Sequence, residues 1–279
     1  MSFITQPIRR GDNMAIIAMT NQKGGCGKTA CTVNLAAALA LKGKKVAVID
    51  NDPQSNATSI LLRGEQPSKT LYSIYMDGTP IEQCVYPSSF GVFVIPNSKD
   101  TAITERKLYR DIDGSYQLLK NSARDYCNEN FDVTLIDTPP TLGIWVLQAL
   151  ICADGVIVPV EAGSAMSLEG LTSVYEAVKD IAEEANPNLQ FLKALINKVD
   201  LRLSASKIIV ETLRTRFPGQ TFDITIPQNT AIQQAEILHT TVLRHEPQCS
   251  ASKRFRELAA ELIDLAENRQ LSLNLSKGK

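Results

Sequence analysis

The chain is short of several things at once, and each shortage excludes a class of protein. Its 29 basic and 30 acidic residues nearly cancel, leaving a net charge of −1 and a pI near 6.2. A globally basic nucleic-acid coat is excluded, so any grip on DNA must come from a local patch. Aromatic residues make up 6% of the chain and are not interleaved with its late basic clusters, so base stacking has no ladder to use. The six cysteines, at 26, 31, 84, 127, 152 and 249, form no CxxC pair. That suggests neither a zinc site nor a disulfide framework, and scattered thiols suit a reducing cytoplasm. His239 and His245 have no companion ligands and read as surface or satisfied-core residues. No stretch is long and apolar enough to span a membrane, and the N-terminus carries no signal-peptide core. Internal repeats and low-complexity segments are absent.

What is present is 44% apolar residues over 279 positions, enough for one large α/β core or two small ones. Strand-like and helix-like stretches alternate almost to the end. Buried strands are expected at Lys45–Asp50, Asp132–Asp137, Asp154–Val160, Phe191–Asn197 and Phe222–Pro227, with a further one at Gly91–Ile95. Amphipathic helices are expected near 115–129, 142–152, 168–185, 204–216 and 250–267. This rhythm predicts an α/β fold, a mostly parallel twisted sheet with helices on both faces. One domain over 14–267 is expected, between a short flexible leader at 1–13 and a polar C-terminal tail at 268–279 that frays. Met14 offers an alternative start, and the leader leaves no room for a separate DNA-reading domain.

The informative stretch is Ala15–Ala40, AIIAMTNQKGGCGKTACTVNLAAALA. Apolar residues run into Gly24-Gly25-Cys26-Gly27 and resume at helical spacing after Lys28, Thr29 and Ala30. A strand feeding a helix through glycines lets backbone N–H groups converge on oxygen anions. The helix N-terminus adds orphan donors and the positive end of its dipole. Lys28 is placed to reach the β- and γ-phosphates, and the Thr29 hydroxyl to bind Mg²⁺. The spacing G-x-x-x-x-G-K-[ST] is missed at its first glycine, where Gln22 stands, and Lys23 heads the loop instead. Cys26 beside these lysines is the thiol most open to chemistry, weighed against a plain apolar filler. Acids stand at or just after strand ends, in Asp50-Asn51-Asp52-Pro53-Gln54 and Asp137-Thr138-Pro139-Pro140, where a parallel sheet binds its ligands. Carboxylates there can hold Mg²⁺ or orient a water.

KGGxGKT at 23–29 resembles the deviant Walker A loop of the ParA/MinD ATPases, a branch of the P-loop fold. DNDPQSNAT (50–58), LIDTPPTLG (135–143), FVIPNSKDTAITERKL (93–108), VIVPVEAGSAMSLEGL (156–171) and FDITIPQNTAIQQAE (222–236) extend the likeness over roughly 15–265. The resemblance implies ATP and Mg²⁺ as cofactors and a homodimer formed on ATP, with Lys23 crossing to the partner's nucleotide. It implies that Asp52 positions the attacking water, Asp50 supports the Mg²⁺ shell and Asp137 is the Walker B carboxylate. Pro227, Gln228 and Asn229 would lie near the adenine, with Asn197 opposite. Gln228 and Ala231 stand where the family often has arginine, Gln234 where it has glutamate, and Ala30 where it has threonine or serine. The first two remove positive charge near the surface the family turns to DNA.

For non-specific DNA the candidates are Arg202, Lys207, Arg214 and Arg216 around one helix, and Lys253, Arg254 and Arg256 at the start of the last. Ser272–Lys279 offers only scattered leucines and two lysines, too little for a MinD-like membrane anchor. The resemblance therefore implies a cytoplasmic, nucleoid-associated partition ATPase, stimulated by a ParB-like adaptor on a plasmid or chromosome, that does not read an operator of its own. A positioning ATPase for a protein cargo shares every one of these features and stays open. A nitrogenase-reductase-like enzyme would need cluster-bridging cysteines, a role Cys127 and Cys152 are not placed to fill. A dethiobiotin-synthetase-like enzyme would need a small-substrate pocket that no motif marks.

Overall fold

The computed structural model describes residues 16–108, 112–163 and 166–276. The leader and Met14 lie outside them. β1 (Ile16–Met19) enters the glycine loop and α1 (Lys28–Leu41) leaves it. β2 (Val46–Asp50) leads to α2 (Asn56–Leu61), α3 (Leu71–Asp77) and a 3-10 turn at Ile81–Cys84. β3 (Tyr86–Pro87) and β4 (Val92–Ile95) follow, then α4 (Thr101–Leu108) and α5 (Ile112–Asn130). β5 (Val133–Asp137), α6 (Ile144–Cys152), β6 (Gly155–Glu161), α7 (Met166–Glu184) and β7 (Gln190–Asn197) keep the strand–helix rhythm. α8 (Ser204–Arg216), α9 (Thr230–Ile237), α10 (Val242–His245) and α11 (Ser250–Ser276) complete the described chain. α11 thus continues past 267, where the polar tail was expected to begin.

The strands form one sheet in the order β3-β4-β2-β5-β1-β6-β7, parallel except for the short β3 against β4. Alternation along each strand assigns its side chains to two cores. Ile17, Met19, Val46, Val48, Val133 and Leu135 pack under α1, α2, α9, α10 and α11. Ile16, Ala18, Ala47, Ile49 and Ile136 face α3, α5, α6, α7 and α8. α1 lies between the sheet and α11, which is why AAALAL is apolar on every side and why Leu35 is fully buried. Burying such a leucine stabilises by roughly 1.5–3 kcal/mol. Trp145 is core packing, 4% exposed and stacked on Tyr75 at 6.2 Å between centroids.

One expected strand is absent. Phe222–Pro227 is tied to β7 and to Val199 just beyond it through two isolated bridges, Thr221 with Ala194 and Pro227 with Val199, and through the Ile226 N–H on the Ile196 carbonyl. Between them the N–H groups of Asp223 and Ile224 donate to the Glu261 carboxylate of α11, at 2.9 and 3.1 Å, instead of to β7. A buried strand was expected there; instead a side-chain acceptor from another element takes the ladder bonds. β1 pairs with β5 on one side and β6 on the other, while α1 carries the chain beyond β5 to β2. The C-terminal ends of β1 and β5 therefore flank the crevice where such sheets bind ligands.

Candidate functional site

The glycine loop is shaped by conformations only glycine accepts cheaply. Gly25 and Gly27 have φ of 74° and 89°, and a Cβ on Gly27 would lie 2.4 Å from Asn197 Nδ2. That close approach is used: Asn197 Nδ2 donates to the Cys26 carbonyl at 2.8 Å, and Lys198 Nζ to the Gly25 carbonyl at 2.6 Å. The end of β7 is thereby stitched to the loop, with Lys198 itself at a φ of 54°. Among the described residues, the N–H groups of Gly24, Gly25 and Gly27 have no protein acceptor. Unspent donors at the head of a helix suit an anion. Cys26 is wholly buried and burial pushes its thiol pKa up, so it is the apolar filler and not a reactive thiol.

The two lysines of the loop are separately held. Lys28, 7% exposed, turns its ammonium onto the carbonyls of Asn21 (3.0 Å) and Lys23 (3.3 Å). Lys23 reaches out to Glu161 at the end of β6, Nζ to Oε2 2.7 Å. The Thr29 hydroxyl donates to Asp137 Oδ2 at 2.7 Å, and Thr32 to Oδ1 at 3.2 Å. Asp50 is held by Thr58. Its Oδ2 takes both the N–H and the hydroxyl of Thr58 at 2.7 Å, and Thr58 Oγ1 in turn accepts from Asn97 N–H. Asp50 thus holds α2 and the end of β4, and through Asp52 N–H (3.3 Å) the turn that carries Asp52. Asp52 accepts from Gln54 N–H at 2.9 Å; burial raises its pKa, with that bond and Lys28 working the other way.

Asp50 and Asp137 are both fully buried. Desolvation raises each carboxyl pKa; for Asp137 repulsion from Asp50 adds to it, and for Asp50 the Thr58 bonds oppose it. Two buried carboxyls beside a threonine hydroxyl fit a divalent cation that completes its shell with phosphate oxygens and water. Among the described residues no three His, Cys, Asp or Glu side chains form a cage that would hold a metal alone. The pKa shifts have a signed consequence. The folded state keeps protons that the unfolded state releases from about pH 4 upward through neutrality, so without ligands stability falls as pH rises there. Asp137→Asn is expected to flatten the fall in melting temperature between about pH 6 and 8. A ligand-free wild type that grows more stable across that window would contradict this account.

A cleft of about 400 Å³ runs from the loop to α9. Gly25, Gly27, Lys28, Thr29, Ala30, Asp52 and Thr138 line one end; Asn197, Pro227, Gln228 and Asn229 lie along it. Its volume is that of a small-ligand site. Asn229 caps α9, accepting from Ala231 N–H at 2.9 Å, and donates to Ser250. Glu161, Lys198 and Glu236 also line the cleft and were missed from sequence. Two of them adjoin segments already singled out, Lys198 after Asn197 and Glu161 at the end of β6. Glu236 had no signal beyond its helical spacing from Ile232.

The seven basic residues lie on or beside α8, which packs on one face of the sheet, and on α11, which packs on the other; the two helices meet at Asp223, whose carbonyl accepts from Arg214 and whose N–H donates to Glu261. Arg202 is clamped by Asp200 at 2.9 and 2.7 Å, and Arg254 pairs with Glu257 at 2.6 Å. Arg214 and Arg256 donate to the carbonyls of Asp223 and Pro247. Lys207, Arg216 and Lys253 are exposed with no carboxylate partner among the described residues.

A glycine loop between β1 and α1, with carboxylates on neighbouring parallel strands, defines the class: a P-loop nucleotide-binding domain. Residues 14–191 match the family described as "AAA domain". The chain is 32% identical to the chromosome partitioning protein ParA of Caulobacter vibrioides, covering 92% of this chain and 97% of that one. It is 34% identical to the chromosome-partitioning ATPase Soj of Thermus thermophilus, with 88% and 94% covered. A solved structure of cobyrinic acid a,c-diamide synthase from Mycobacterium smegmatis, with bound ATP analogue and magnesium, superposes with a TM-score of 0.77 at 26% identity. That match covers 89% of this chain and 93% of that one. The chain belongs to the ParA/Soj family of P-loop ATPases. No helix among the described residues is long and apolar enough to cross a membrane.

Proposed function

We propose that this chain is a partition ATPase that dimerises on Mg·ATP, binds non-specific DNA as the dimer, and releases it after a ParB-like adaptor on a plasmid or chromosome stimulates hydrolysis. The observation that carries the reading is the pair of loop lysines, one turned inward and one outward. Lys28 folds onto its own loop, where a triphosphate would draw it; Lys23 stands at the rim, its ammonium paired with Glu161. A cation at the rim can serve a second copy's phosphates, which makes association depend on the nucleotide. Leu142, in the loop after Asp137, is 47% exposed and is an apolar group that a second copy would cover.

In this reading ATP supplies the phosphoanhydride and Mg²⁺ the counter-charge on its oxygens. Gly24, Gly25, Cys26, Gly27 and Ala30 shape the backbone cradle, Lys28 neutralises phosphate, Thr29 and Asp137 hold the cation, and Asp50 fixes the turn that presents Asp52. Asp52 orients the attacking water. Lys207, Arg216 and Lys253 are the cations best available to DNA phosphates, and the resulting track is the nucleoid. Sedimentation of the purified chain with a non-hydrolysable ATP analogue and Mg²⁺ tests the core of this. A dimer is expected with the analogue and a monomer without it, and Lys23→Ala is expected to weaken the dimer by about tenfold or more. DNA pelleting should follow the dimer and fade between about 50 and 200 mM salt. A chain that stays monomeric with the analogue would sink the proposal.

A further inference from the structure

We infer that Glu236 reads the exocyclic amino group of a purine in the cleft, and so sets the base preference of the site. This rests on the ATP reading and names a residue that reading leaves idle. Glu236 lies on the face of α9 that lines the cleft with Ile232 and Gln233. Pro227, Ile232 and Phe255 line the same cleft, the Lys198 ammonium acts on Glu236 from across the cleft, and Glu236 is itself half-buried. Among the described residues its carboxylate has no hydrogen-bond partner. A carboxylate in that position costs free energy unless a ligand donates to it.

The neighbouring polar groups are already committed. Asn197 gives one amide hydrogen to Cys26 and its oxygen to Lys198 N–H. Lys198 Nζ is on Gly25, and the Asn229 side chain spans Ala231 and Ser250. Asp200, the next acid along the chain, is taken up by Arg202. Gln228 and Gln233 are exposed at the rim. Glu236 is the half-buried carboxylate of the cleft without a hydrogen-bond partner among the described residues, and as a carboxylate it accepts hydrogen bonds and donates none. Adenine offers it an N–H at C6, whereas hypoxanthine presents an oxygen there, which a carboxylate repels.

The test compares ATP with ITP, which differ at that edge of the base, by competition against a fluorescent ATP analogue on the full-length chain with Mg²⁺. Binding, not turnover, is read. The wild type is expected to favour ATP by about tenfold or more, the scale of one charge-assisted hydrogen bond. In Glu236→Ala the ratio should fall to within about threefold, mainly through weaker ATP binding. Glu236→Gln adds a donor that suits the inosine oxygen and should narrow the ratio as well. An unchanged ratio in both variants, or a wild type that does not distinguish the two, overturns the inference alone. If neither triphosphate binds, the ATP reading itself is overturned and this inference with it.

Discussion

Asp52→Ala is expected to slow phosphate release by about 10²–10⁴-fold, the usual worth of a positioned acid–base group. Nucleotide-dependent dimerisation and DNA binding should persist, because Asp52 touches neither Lys28 nor the loop through a hydrogen bond. Among the described residues its carboxylate accepts from one backbone group, the Gln54 N–H at 2.9 Å, part of the turn after β2. Losing that bond costs about 1 kcal/mol of stability, too little to unfold the domain. Asp52→Asn keeps an oxygen for Gln54 and separates the two effects. It should restore the turn without restoring turnover. Phosphate release within about tenfold of wild type in the alanine variant would remove Asp52 from the chemistry.

Lys28→Ala should abolish nucleotide binding at working concentrations. The side chain is almost wholly buried and its ammonium is satisfied by two loop carbonyls, at 3.0 and 3.3 Å. Those neutral acceptors would be exchanged for phosphate oxygens, each charge-assisted bond being worth about 1.5–3 kcal/mol. Two such bonds correspond to a loss of roughly 10²–10⁴ in affinity. Equilibrium binding of a fluorescent ATP analogue measures it, with the melting temperature of the ligand-free variant as the control for folding. A variant that folds and binds within about tenfold of wild type would place the phosphates elsewhere.

Much of this was legible in the sequence, and the reasons differ from part to part. The strands from Lys45, Asp132, Asp154 and Phe191 declared themselves because a doubly covered parallel strand must be apolar on both sides. The loop declared itself because few residue types tolerate the backbone of Gly25 and Gly27. β3, two residues long with a proline, carries no periodicity to read. The short helices α2, α3, α9 and α10 are set by caps and tertiary contacts, such as Thr58 on Asp50 and Asn34 on Val242 N–H, that no window of sequence contains. Asp50 stood out as an acid at a strand end; that it also braces the turn, through Thr58 and the Asp52 N–H, could not be read from its neighbours in sequence. The basic residues were assigned to two helices by spacing alone, and spacing says nothing about which face of a sheet a helix covers.

The segment after α8 gives the molecule a property no catalytic residue does. Residues 220–228 bond to β7 at Ala194 and Ile196 and to Val199 just beyond it, and the same run carries Pro227 and Gln228 to the cleft. One ribbon of chain both seals the open side of the sheet against strand addition by other molecules and forms the wall behind the ligand. Occupancy of the cleft and protection from edge-to-edge aggregation are thereby mechanically joined. A population starved of ligand would be the one most prone to clump.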